Sequence, residues 1–163
     1  METLKDLFID QLEDIYYAEN QIVDALPKMI EAASSSELKE AFEKHLDETK
    51  GQIERLEKVF DILDLEPEKK KCEAIEGIID EGEELIEMKD EIDPDVLDAG
   101  LIASAQRVEH YEIAVYGTIR RFAKRIGEEE AADLLTQNLD QEYDADQKLT
   151  RIAEDTVNKE AAE

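Results

Sequence analysis

The chain has 163 residues, a length that suits one domain. Its 45 acidic residues against 19 basic ones leave a net charge of −26, which excludes nucleic acid and anionic membrane surfaces as natural partners, because phosphate contacts need a basic face. A single cysteine, Cys72, rules out an intramolecular disulfide framework, and no apolar run approaches the roughly 18 residues that span a bilayer.

A hydrophobic fraction of 42% is enough to fill a core. Glu, Lys, Ala, Leu and Ile dominate, and most of these are good helix formers. Runs of β-branched and aromatic residues bounded by turn signals are missing. The expected fold is all-α.

The opening METLKDLFIDQLEDIYYAEN mixes charged and apolar residues from the start. It has no signal-peptide character, so a cytoplasmic protein is expected. A first helix is predicted over about residues 3–33, with Leu4, Phe8, Ile15, Ile22 and Leu26 on its apolar stripe. Pro27 falls inside it as a candidate kink. Three serines then interrupt the pattern, and Ser34 with Glu37 has the spacing of a capping box for a second helix. That helix reaches about residue 63, with Leu38, Phe42, Thr49, Ile53, Leu56 and Phe60 inward.

DLEP at 64–67 opens a crossover running to about 94. It holds a shorter helix over about 70–88, weakened by Gly77 and Gly82. A third long helix is predicted from about 95 to 126, opened by Asp93 or Pro94 and closed by Gly127. The last runs from about 128 to 157, with a tail over 158–163 expected to fray. Four long helices with two short turns and one long crossover predict a ferritin-like bundle, one domain over 1–163.

Carboxylates fall on the apolar stripes. Successive residues turn about 100° around a helix. Glu112 then lies near the centre of the stripe Leu101, Ala105, Val108, Tyr116, Ile119, and Glu109 lies within it. Glu19 lies between Ile15 and Ile22. Glu142 is near the centre of the last helix's stripe, with Asp146 one turn on. In the second helix His45 and Gln52 are inward and Glu48 is nearer the edge. The two hairpins thus form a degenerate repeat, with Glu19 matching Glu109 and Glu48 matching Glu142.

Converging acids repel and shift one another's protonation unless a cation intervenes. Few inward Lys or Arg are available to do so. Two divalent ions held by bridging and terminal carboxylates are the known solution in bundle cores. An oxygen-rich donor set suits iron or manganese, whereas calcium would want a dedicated loop. Glu109 and Glu142 are the bridging candidates. The bland alternative is chance placement, since 45 acidic residues will put some near a stripe.

The usual Glu-x-x-His is absent: Gly51 follows Glu48 and Ala145 follows Glu142 at that spacing. His45 instead precedes Glu48 by three, either as a ligand or partner of one, or as an ordinary buried histidine. His110 projects about 100° from Glu109, toward Ala103, Ala114 and Gly117, and reads as a packing or surface residue. Tyr16, Tyr111, Tyr116 and Tyr143 read first as packing or surface residues and second as electron relays.

The stretches DIYYAENQIVDALPKM, HLDETKGQIERLEKVF, KKCEAIEGIIDEGEELIE, LIASAQRVEHYEIAVYG and DQEYDADQKLT resemble the YciF/YciE group of ferritin-like stress proteins, over about residues 3–159. The resemblance implies a bundle with an extra crossover helix, usually dimeric, with a di-metal carboxylate site and an association with stress responses. Carried onto matching positions, its site would use Glu19, Glu48, Glu109, Glu112, Glu142 and Asp146, with His45 and Gln52 nearby. It supplies no settled reaction. The expected function is a metal-binding stress protein, redox-active toward oxygen, peroxide or ferrous iron; the alternative is a non-catalytic metal-binding or structural module. The charge exceeds the family pattern and points to a halophilic, high-salt cytoplasm, where the repulsion is screened.

Overall fold

A computed structural model describes residues 1–163. Helix α1 spans Leu4–Ala32. Thr3 and Asp6 open it with a reciprocal capping box, satisfying amides that the first turn leaves free. Pro27 lies in the last part of α1 without ending it.

Helix α2 spans Ser36–Ile62. Its cap is Ser35, whose side chain accepts from the Leu38 amide at 3.3 Å, and not Ser34 as the spacing to Glu37 predicts. The reason lies in the turn itself. The amides of Ser34 and Ser35 both donate to the buried carboxylate of Asp98, at 2.8 and 2.7 Å, so the turn is positioned from outside. Helix α2 ends where Asp64 takes a left-handed conformation, φ 57°, which Asp tolerates better than most residues.

The crossover carries α3, Glu73–Glu87. Ile75 is its fully buried residue. Polar contacts tie it down: Tyr17 to Glu76, Lys28 to Glu83 at 2.6 Å, and Arg107 to Glu81 at 3.1 Å. Helix α4 spans Pro94–Ile126, with Asp93 accepting from the Asp95 and Val96 amides and Pro94 in the first turn. Gly127 closes it at φ 87°, a conformation that a side chain would strain.

Helix α5 spans Glu129–Ile152. A π-turn over Ala153–Val157 follows, burying both of its end residues, and a short α6, Asn158–Glu160, continues the path. The chain is therefore helical for three residues beyond 157, within the tail expected to fray. Hydrophobic contact of the π-turn with the core holds it.

Helices α1 and α2 form one hairpin and α4 and α5 the other; α2 then packs on α5 and α1 on α4, while α3 lies across α4 and α1. This is the four-helix bundle with a crossover helix that the sequence predicts. No helix is long and apolar enough to cross a membrane. Phe8, Leu12, Leu56, Phe60, Ile119 and Leu135 are fully buried members of the core. Polar side chains are buried with them, and these form the site.

Candidate metal centre

Each acid owes its burial to the apolar residues one turn away on its helix, which dictate the inner face. Glu19 sits between Ile15 and Ile22 on α1; Glu109 and Glu112 sit between Ala105 and Tyr116 on α4; Glu142 follows Leu139 on α5. His45 follows Phe42 on α2, with Thr49 and Gln52 beyond it. Glu19, Gln52, Glu112 and Glu142 are wholly inaccessible, and His45 and Glu109 nearly so. Ligand atoms of His45, Glu109, Glu112 and Glu142 lie within 4.8 Å of one another. His45 Nε2 is 3.3 Å from Glu109 Oε1.

Hydrogen bonds tie one side of this box. The Tyr116 hydroxyl donates to Glu19 Oε1, and Gln52 Nε2 donates to Glu142 Oε1. Asn138 Nδ2 donates to the Tyr116 oxygen at 3.0 Å and to the Gln52 carbonyl at 3.3 Å. Arg55 in turn donates to Asn138 and Gln141. The other side is bare. Glu19 Oε2, Glu109 Oε2, Glu142 Oε2, both Glu112 oxygens and both His45 nitrogens are buried without a hydrogen-bond partner. Most buried polar groups in proteins find a partner, so a cluster of orphans this dense is unusual.

The electrostatics follow from burial. Glu19, Glu109 and Glu112 are each pushed well above the ordinary carboxylate range, by burial first and by the neighbouring Glu142 second. Glu112 also feels Glu19 and Glu109. Tyr116 is raised by its own burial and by Glu19 and Glu112. A low dielectric penalises the charged form of an acid, and like charges add to it. The arrangement can hold cations, or it can hold protons.

Of the remaining predicted site residues, Glu48 is half-buried and turned to Lys44 at 2.9 Å. Asp146, also half-buried, accepts from Gln106 at 3.0 Å and faces His110 at 3.3 Å. Both therefore stand outside the four-residue cluster. His110 is exposed, as its angular offset from Glu109 predicts. A cleft of about 560 Å³ between α2 and α5 is lined by Glu37, Glu48, Asp144 and Lys148 and reaches His45 and Glu109. Tyr16 and Tyr111 bond to Glu57 and Cys72, and Tyr143 is exposed.

Helical spacing alone did not single out Asn138 or Arg55. Asn138 lies between Leu135 and Glu142 on the α5 stripe, and Arg55 lies three residues after Gln52. Those spacings were the available signal.

Comparison with known proteins places the chain in a family. The profile described as a domain of unknown function, DUF892, matches residues 3–162. Protein YciF of Escherichia coli strain K12 is 46% identical over 162 residues, which is 99% of this chain and 96% of that protein. The crystal structure of the E. coli stress protein YciF aligns with a TM-score of 0.92, covering 98% of this chain and 99% of that one. YcfI of Rhodopseudomonas palustris, provisionally described as a structural protein, aligns at 0.88 with 46% identity over 92% of this chain and 94% of its own. The chain belongs to the DUF892 family.

Proposed function

We propose that this DUF892 protein binds two divalent ions, iron or manganese, between its two helical hairpins, and acts in a stress response. The observation that carries the reading is the set of orphaned donor atoms on five buried side chains: Glu19, His45, Glu109, Glu112 and Glu142. Four carboxylates and one imidazole form a hard-to-borderline donor set that suits these metals. The ions replace the partners that the orphaned oxygens lack and offset the acids' mutual repulsion.

Roles divide by what each side chain already does. Glu19 and Glu142 each commit one oxygen to Tyr116 or Gln52 and keep Oε2 free, so each would offer a single oxygen to an ion. Glu112 has both oxygens free and is the better bridge. His45 supplies the nitrogen. Glu48 and Asp146 stand at the rim, where Glu48 helps draw cations down the α2–α5 cleft. Two redox-active ions held by these residues would supply one-electron reducing chemistry toward a small oxidant such as oxygen or peroxide. The chain's own part is to hold donors at fixed positions, keep bulk water out and keep the Tyr116 hydroxyl protonated and directed at Glu19 Oε1. The same reading includes a cytoplasmic homodimer adapted to high salt.

Metal analysis of protein purified without chelator tests this. Two equivalents of iron or manganese per chain in the wild type, lost in Glu112→Gln, are expected. No metal above background in the wild type would sink the reading. Bound metal inert to oxygen and peroxide would instead favour a structural role.

A further inference from the structure

The buried box has a second neighbour besides the polar cleft. A pocket of about 40 Å³ lies between α1, α3 and α4 and is closed by α2, walled by Ile22, Leu26, Phe42, Ile79 and Val108. His45 and Glu109 line it too, and with Phe42 they also line the α2–α5 cleft. Two cavities of opposite character thus flank the same pair of residues. At the rim of the apolar one, Glu83 is paired with Lys28 at 2.6 Å, strapping α3 to α1.

The pocket's size and lining limit its occupant. Water has a share of liquid volume of about 30 Å³ and needs two to four polar partners to be held in a cavity. Away from His45, Glu109, Ser104 and Glu83 the hydrophobic walls do not supply them. A charged or strongly hydrogen-bonding molecule would forfeit its hydration there without replacement. The space of about 40 Å³ suits a molecule of a few heavy atoms. What remains is a small, uncharged, apolar molecule.

We infer that this pocket is a dioxygen site opening on His45 and Glu109, and that the polar cleft is the separate route for cations and peroxide. The inference rests on the metal-binding reading for its purpose, but the pocket's selectivity stands on its own lining. Small apolar molecules approach from the α1–α3–α4 side. Ions and hydrogen-bonding molecules approach from the α2–α5 side. His45, Phe42 and Glu109 form the partition.

Xenon, apolar and of similar size, reports the pocket in metal-free protein. Crystals of the full chain pressurised with xenon are expected to hold one atom there. Ala25→Leu, which adds carbon at a pocket-lining position, loses it, and Ile79→Ala, which removes carbon, keeps it at equal or higher occupancy. No xenon in the wild-type pocket overturns the inference and leaves the metal reading intact. In ferrous-loaded protein, Ala25→Leu is expected to slow reaction with dioxygen while leaving that with hydrogen peroxide unchanged; equal slowing of both, or of neither, overturns the two-route assignment. Xenon bound in a protein without metal affinity would overturn the metal reading, and with it the purpose of the site.

Discussion

Gln52 on α2 donates a hydrogen bond to Glu142 on α5, fixing one carboxylate oxygen and leaving the other bare. The contact joins the two hairpins at the depth of the buried acids. Partners that orient metal ligands typically matter about 10–100-fold in affinity. Gln52→Leu, close in size but without the donor, is therefore expected to weaken manganese binding about tenfold in calorimetric titration. Unchanged affinity would show that Glu142 needs no such anchor.

Metal-free protein should lose stability as pH rises. Glu19, Glu109 and Glu112 are raised above their ordinary value of 4.5 in the folded state. For such acids the folded state binds more protons than the unfolded one, so stability is full below the unfolded pKa and is lost as pH rises toward the folded one. Chelated protein should melt lower at pH 8 than at pH 5. Added manganese should raise Tm more at pH 8, because ions and protons compete for the same oxygens. A metal-free Tm that climbs over this range would contradict the assignment.

Glu112→Gln should separate stability from binding. Its carboxyl is wholly buried with both oxygens unpartnered. An amide of the same shape removes a buried acid whose ionisation opposes folding as pH rises. Chelated Glu112→Gln is expected to melt above chelated wild type at pH 8 and to gain little from metal. Glu48→Gln, changing a half-buried residue paired with Lys44, should leave both quantities near wild type. The two variants compared by melting, with and without manganese, decide which acid is central.

Asp98→Ala should destabilise the bundle without touching metal content. Asp98 receives the Ser34 and Ser35 amides at 2.8 and 2.7 Å. Hydrogen bonds to a charged group are worth about 1.5–3 kcal/mol each, so a cost of about 3 kcal/mol is expected in urea unfolding. A cost near zero would mean that water replaces the carboxylate at the turn.

The helices were legible because their apolar residues repeat at helical spacing and their ends carry strong signals, such as Asp93-Pro94 before α4 and Gly127 after it. The buried acids were legible for the same reason: Glu19, Glu109, Glu112 and Glu142 lie on stripes that have to be buried. Helix α2 was harder. His45 and Glu48 are only about 60° apart around the helix, so the spacing that set His45 inward and Glu48 nearer the edge separates them weakly. Packing decides between them, with Phe42 beside His45 in the cleft wall and Lys44 holding Glu48 outward. Angular position carries no information on relative depth between helices. Tyr116 on Glu19 and Asn138 on Gln52 depend on that depth. The spacing to Glu37 favoured Ser34 as the cap, but Ser35 caps α2, in a turn whose two amides are held by Asp98, more than 60 residues away.

The position of the acids also bears on how the bundle assembles. Glu19 and His45 belong to the first hairpin, and Glu109, Glu112 and Glu142 to the second. Glu109, Glu112 and Glu142 meet within the second hairpin, whereas Glu19 and His45 join them only when the two halves dock. The burial that makes the acids' repulsion costly is therefore completed at that last folding step. An ion held there acts as a late clasp, and interactions formed after the folding barrier act mainly on the unfolding rate. Chelation would then shorten the lifetime of the native state far more than it slows its formation.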